Sequence, residues 1–275
     1  MTNGLSFDVE DWFHVENLRE FCQRNKWDNF ELRINQNTEK ILELLDKFNI
    51  KATFFILGWV AERAHDLVKT IANEGHEIAS HGYNHEIIYN LKPEQFEEDL
   101  LKSKNILENL SNQKVVGYRA PNFSITDKSL WAIDILVKNG FKYDSSIFPT
   151  SFHDRYGLKG SETYTYTYKN GLKEIPLTTI KMGKYNFPIA GGGYFRLFPY
   201  QLYKYLLKTV NKDGKYFVFY LHPWEIDAGQ PRVDINFRYK FRHYVNLSKT
   251  YKKLTFLLQD FQFSTLNSLL INGNE

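Results

Sequence analysis

The sequence predicts an α/β protein with a parallel sheet and helices outside it. Three observations carry this. Short apolar runs alternate with amphipathic runs from residue 5 to about residue 146, an order that implies parallel strands joined by crossover helices. The repeat resumes after about residue 198. Polar residues collect where predicted strands end, at Asp8, Glu10, His81, Arg119 and Asp144. An open doubly wound sheet and a barrel both fit the repeat, and polar ends contributed by several strands favour a barrel.

The elements follow in order. "GLSFDV" reads as a strand. "TEKILELLDKF" places Ile41, Leu44, Leu45 and Phe48 at helical spacing, with Thr38 as N-cap. "KATFFIL" is a strand, "VAERAHDLVKTIANEG" a helix stopped by Gly75, and "HEIASHG" a strand and turn. "PEQFEEDLLKSKNILENL" is a helix with Pro93 in its first turn and Phe96, Leu100, Leu107 and Leu110 on one face. "VVGYRAP" and "FKYDSS" are strands flanking the helix "TDKSLWAIDILVKNG". From about 150 to 198 the pattern breaks. "TYTYTY" and "LKEIPLT" alternate as a β-hairpin would, and "AGGGYFRLFP" reads as a glycine-rich loop. The helix "PYQLYKYLLKTV", the strand "KYFVFYLHP" and the helix "SKTYKKLTFLLQDF" complete the chain. Without a long linker or low-complexity segment, residues 1–275 read as a single domain with an inserted β-segment.

Composition narrows the function. The net charge of +3 does not argue for nucleic acid. A basic run (Arg232, Arg238, Lys240, Arg242, Lys249, Lys252, Lys253) suits a solvated helical face, an anionic polymer or a lipid phosphate. The lone Cys22 excludes an internal disulfide and a thiolate metal site. No apolar run reaches about 18 residues, the length of a membrane-spanning helix. No signal peptide is visible, so the expected location is the cytoplasm, or the inner face of the membrane if the substrate is lipid-linked. Aromatic residues make up 16% of the chain, enough for a large core or for ring-shaped ligands such as sugars.

The chemistry sits in five short stretches. In "SHGYNH", His81 and His85 are four apart and would share a face on a helical turn, a common half-site for a divalent ion. A catalytic ion of this kind needs a third protein ligand, and "SFDVED" offers acids. Strand alternation puts Asp8 and Glu10 on one face and Val9 on the other, with Asp11 opposite unless the strand has ended. One acid can then bind metal while the other acts as base. Arg119 in "GYRAPNF" can orient a carboxylate, and Asp144 in "KYDSS" lies at a similar strand end. His222 in "FYLHPWE" follows an apolar strand and suits a general acid near an aspartate. Trp12, Tyr194 and Trp224 are candidate sugar-stacking residues. Gly191, Gly192 and Gly193 suggest a close backbone approach or a tight turn, and no helix start is evident there.

This order of acid cluster, HxxxH, "RAP", "YDS" and "LHP" resembles the polysaccharide deacetylase family, the NodB-homology carbohydrate esterases, from about Leu5 to Leu270. "DVEDWF", "GGGYFRLFP", "LHPWEID" and "RHYVNLSKT" are similar to the branch associated with bacterial exopolysaccharide and exosortase gene clusters. The resemblance implies a distorted (β/α) barrel of seven or eight strands. It implies a metal-dependent hydrolase that removes acetyl groups from an amino-sugar glycan, either polymeric or lipid-linked. His81 and His85 would hold one divalent ion, Zn²⁺ being the simplest. Asp8 would be the base with Arg119 as its partner, and His222 the general acid with Asp144 tuning it. A backbone N–H near Asn122 would face the developing oxyanion. The family has adjacent aspartates where this chain has Asp8–Val9. The third ligand is therefore Glu10 or Asp11, with alternation favouring Glu10, or the metal is held differently, as by a base and ligand that have exchanged roles. An amidohydrolase acting on a cyclic amide or imide, and an inactive carbohydrate-binding homologue, are the competing readings.

Overall fold

The computed structural model describes residues 1–150 and 157–272, so residues 151–156 of the predicted inserted segment lie outside the described residues. The first half is β1 (Thr2–Val9), α1 (Ile34–Lys47), β2 (Thr53–Ile56), α2 (Gly58–Ala61), α3 (His65–Asn73), β3 (Glu77–Ser80), α4 (Pro93–Ser111), β4 (Gly117–Tyr118), α5 (Ala132–Lys138) and β5 (Tyr143–Asp144). The second half is β6 (Tyr166–Thr167), β7 (Lys173–Glu174), β8 (Thr179–Met182), β9 (Tyr185–Pro188), α6 (Gly192–Leu197), α7 (Tyr200–Lys212), β10 (Val218–Leu221), α8 (Phe237–Tyr244), α9 (Leu247–Asp260), β11 (Gln262–Ser264) and α10 (Leu266–Asn272).

The main sheet runs β10-β1-β2-β3-β4-β5-β7-β6, and β11 pairs with the first residues of β1. Every pairing in it is parallel except the β6–β7 hairpin. The sheet curls into a half-barrel. Near its open edge, the Thr178 hydroxyl accepts from Val218 N at 2.6 Å and donates to Val218 O at 3.1 Å. One side chain thus links the segment after β7 to β10 where no strand ladder forms among the described residues. That is the physical content of a distorted barrel.

Strand alternation sorts the side chains into two cores. Leu5, Phe7 and Val9 of β1 join Phe54, Ile56 and Ile78 beneath the helices. Phe55, Ala79, Tyr143, Ile175, Val218 and Tyr220 face the barrel interior. The interior also receives Leu266 and Leu269 of α10, which plug the end where β1 begins. The opposite, carboxyl ends of the strands are left open for polar side chains, which is why the site forms there.

Some elements differ from expectation. The predicted helix ending at Gly75 is broken between Ala61 and His65 into α2 and α3. Helix α1 starts at Ile34 rather than after Thr38, because Asp11 Oδ2 accepts from Arg33 N (2.6 Å) and Ile34 N (2.9 Å). That cap comes from across the fold and leaves no local trace at residue 34. The "AGGGYFRLFP" stretch contains the helix α6, Gly192–Leu197, where the sequence predicts a loop.

Candidate metal and catalytic site

Asp8 is the last inward-facing residue of β1. Its Oδ1 accepts from Arg119 Nη1 at 2.6 Å, and both side chains are fully buried. Arg119 is held in turn by Ser6 Oγ, Ser145 O and Ser145 Oγ at 2.9, 3.1 and 3.0 Å, and it lies over the Phe55 ring. Four of the five guanidinium N–H groups thus have an acceptor, so one oxygen of Asp8 is fixed and Oδ2 is left toward the cavity.

Beyond Val9 the chain leaves the strand, and Glu10 meets His81 and His85. Their donor atoms all lie within 4.8 Å of one another, in a wholly buried group. The two histidines do not lie on a helical turn. His81 follows β3, and the chain then turns through His85, whose φ of 53° is left-handed. The i,i+4 spacing therefore works through a tight loop. His81 Nδ1 is 2.9 Å from the Arg119 carbonyl. A carbonyl only accepts, so the proton sits on Nδ1 and the Nε2 lone pair is free for a metal. Burial pushes His81 down to about 4, keeping the ring neutral as a ligand must be. Glu10 Oε2 lies 2.5 Å from His85 Nε2; burial would lower the pKa of His85, and this contact raises it. Burial alone would raise Glu10; His85, His222 and His81 outweigh it and hold the carboxyl well below the usual range. A buried, ionised carboxylate beside two imidazoles fits a divalent cation by geometry and donor type.

His222 follows β10 on the far side of the same group. Its Nε2 is 3.2 Å from Glu10 Oε1 and 3.8 Å from Asp8 Oδ2. Its Nδ1 is 2.8 Å from Glu225 Oε1. Burial would lower its pKa, but Glu10, Glu225 and Asp8 raise it to about 9. Glu225 is the residue that sequence reasoning missed; the signal was its place three residues after His222 in "HPWE", the spacing of a capping box. Arg196 Nε donates to Glu225 Oε2 at 2.7 Å, and its remaining N–H groups reach the carbonyls of Arg242, His243 and Val245. A Cβ on Gly192 would sit 1.9 Å from Glu225 Oε2, and one on Gly191 would sit 2.2 Å from the Tyr220 ring. The close approach that the glycines permit is thus to Glu225 and Tyr220.

A cavity of about 500 Å³ joins these parts; it is lined by Asp8, Glu10, His81, His85, Asn122, Tyr194, His222 and Trp224, and also by Glu16, Asn17 and Arg242. Asn122 has φ 54° and a buried side-chain nitrogen without a partner. Trp224 is only 5% exposed, and its ring is stacked between His222 and His243, so it is a wall that orients His222.

Two expectations are corrected, and Asp11, the alternative ligand, has another use. Asp144 does not tune His222. On β5 it alternates with Tyr143 and Ser145, which face inward, so it points outward, where it bonds Ser146 and pairs with Glu174. Trp12 is not on the rim: it is 2% exposed, packed against Phe13 and Phe30. Asp11 is absent from the metal group, because its carboxylate caps the turn Trp12–His14 and the start of α1.

Comparison with known proteins bears on the family and the fold. Residues 26–143 match the polysaccharide deacetylase family model, and residues 145–271 match a domain of unknown function (DUF3473). The chain is 33% identical over 117 residues to a peptidoglycan deacetylase of Helicobacter pylori, covering 42% of this chain and 39% of that protein. It is 38% identical over 98 residues to a peptidoglycan-N-acetylglucosamine deacetylase of Bacillus cereus, covering 35% and 36%. The matched stretch thus spans well under half of these relatives. A polysaccharide deacetylase structure from Mycobacterium smegmatis superposes with a TM-score of 0.64 at 20% identity, over 97% of this chain and 87% of that one, and so shares its fold. Residues 26–143 thus match the polysaccharide deacetylase family model, and the described chain shares its half-barrel fold with the Mycobacterium smegmatis structure.

Proposed function

We propose that this chain is a metal-dependent deacetylase that removes N-acetyl groups from an amino-sugar-containing glycan in bacterial exopolysaccharide or cell-surface glycan synthesis. The observation that carries it is the buried Glu10–His81–His85 group with Asp8 and His222 on either side of one cavity. The names of the curated relatives support the substrate class.

Glu10, His81 and His85 would hold the ion, Zn²⁺ in the simplest case, which supplies an acidified water and polarises the acetyl carbonyl. Asp8 takes the proton of the attacking water at Oδ2, since Arg119 holds Oδ1. The backbone around Asn122 faces the oxyanion. His222 is protonated at neutral pH, and its Nε2 gives the proton to the departing amine. Tyr194 offers a half-buried ring to the sugar at the cavity wall.

The test is acetate release from N-acetylglucosamine oligomers, with bound metal measured by mass spectrometry. His81→Ala with His85→Ala should lose both metal and acetate release, and release by the metal-free double variant sinks the proposal. Glu10→Gln should lose metal, whereas Asp11→Asn should keep it. Native protein that binds metal yet releases no acetate would favour an inactive homologue or a cyclic-amide substrate.

A further inference from the structure

The basic run near the end of the chain is not uniform. Lys253 is tied to the carbonyls of Phe195, Arg196 and Phe198, and Arg232 lies over the Tyr244 ring. Arg238 is exposed on α8, Arg242 is exposed where it lines the cavity, and Lys240 is partly exposed, 3.5 Å from Asp234. Residues 235–249 hold four cations (Arg238, Lys240, Arg242, Lys249) and no acid.

The same helix exposes hydrocarbon. Phe237 is 78% and Phe241 50% exposed, one helical turn apart, while His243 and Tyr244 anchor the buried side. Arg196 ties α6 to the last carbonyls of α8, and Leu197, 47% exposed, lines the same cavity as Phe241. Adjacent apolar side chains this exposed mark an interaction site. Phenylalanine carries no polar tip to meet a sugar hydroxyl, as Trp or Tyr would. An apolar ridge flanked by cations, on a helix lying along the surface, suits the headgroup–acyl boundary of an anionic bilayer.

We infer that the α8 face, with Phe237, Phe241 and Leu197 at its crest and Arg238, Lys240 and Arg242 around it, docks on an anionic lipid surface, bringing the cavity mouth against the membrane. Glycans presented at a lipid surface would then reach the site without leaving it. The inference does not depend on the deacetylase reading, because its readout is binding.

The experiment is flotation of the full chain with vesicles of phosphatidylcholine alone, and with vesicles of phosphatidylcholine mixed with phosphatidylglycerol. Native protein should float with the mixed vesicles only, and less so as salt rises. Phe237→Ser with Arg238→Glu should weaken binding about thirtyfold from the charge change alone, at about fivefold per charge unit near an anionic surface. Neither residue lines the cavity, so acetate release from soluble oligomers should be unchanged. In parallel, the fluorescence of Phe237→Trp should shift to the blue with mixed vesicles. Native protein that fails to float, or a double variant that floats equally well, overturns the inference. So does a dimer in sedimentation that Phe237→Ser dissolves, because a second copy would then cover the face. Capture by a soluble anionic glycan, with no vesicle binding, overturns it equally.

Discussion

Replacing Glu225 with Gln should shift the alkaline limb of the pH–rate profile to lower pH. Glu225 Oε1 receives His222 Nδ1–H at 2.8 Å, and Oε2 receives Arg196 Nε at 2.7 Å. In Glu225→Gln the amide oxygen must turn to Arg196, which can only donate. The amide nitrogen then faces His222 Nδ1 and no longer accepts its proton. A hydrogen bond to a charged group contributes about 1.5–3 kcal/mol; at 1.36 kcal/mol per unit that is about one to two pK units. The pKa of His222, which Glu225 helps to raise, should therefore fall by about one to two units. The general acid is needed protonated, so kcat/KM for acetate release should decline one to two units earlier, roughly, with its acid limb unmoved. Stability carries the same signature. A histidine raised from its unfolded value of about 6.5 to about 9 stabilises the fold by about 3 kcal/mol below that unfolded value. The contribution is lost as pH rises through the folded value, and Glu225→Gln should flatten this slope in urea titrations. An alkaline limb that stays in place in a folded, metal-loaded variant would refute the assignment of His222 and Glu225.

Other outcomes follow from the same geometry. Gly192→Ala places a Cβ on the Glu225 carboxylate, so acetate release should collapse while metal content stays native, read by parallel activity and metal assays. Arg119→Met leaves Asp8 buried without its partner and should cost about 3–5 kcal/mol in urea unfolding. Asp11→Ala removes an acceptor from Trp12, Arg33 and Ile34 N–H groups and should cost about 0.5–2 kcal/mol, with bound metal retained. Gly117→Ala drives a Cβ to 2.2 Å from the Tyr143 ring inside the barrel and should destabilise by about 1–3 kcal/mol, measured as a lower urea midpoint.

Much of the site was legible because each group sits at the end of a strand whose period is local. Val9 falls in the outer core, and Asp8 and Arg119 meet inside. Glu10 over Asp11 followed from alternation, and the geometry adds a separate use for Asp11 as a cap. The same rule, applied at β5, would have turned Asp144 outward, since Tyr143 and Ser145 take the inner face; two-residue strands give too little pattern to read it. Trp12 was misplaced because nothing in "DVEDWF" tells a rim aromatic from one packed on Phe30, eighteen residues away.

The order of strands and helices and the strand-end chemistry are properties of periodicity and residue type, and the amino-acid sequence by itself determined them. The partner of His222, the clearance at Gly192 and the Arg196 contacts depend on side chains brought together from β10, α6 and α8. Only the tertiary structure decided these, because a hydrogen bond or a steric clearance between distant segments depends on ångström-scale packing that no spacing in the chain encodes.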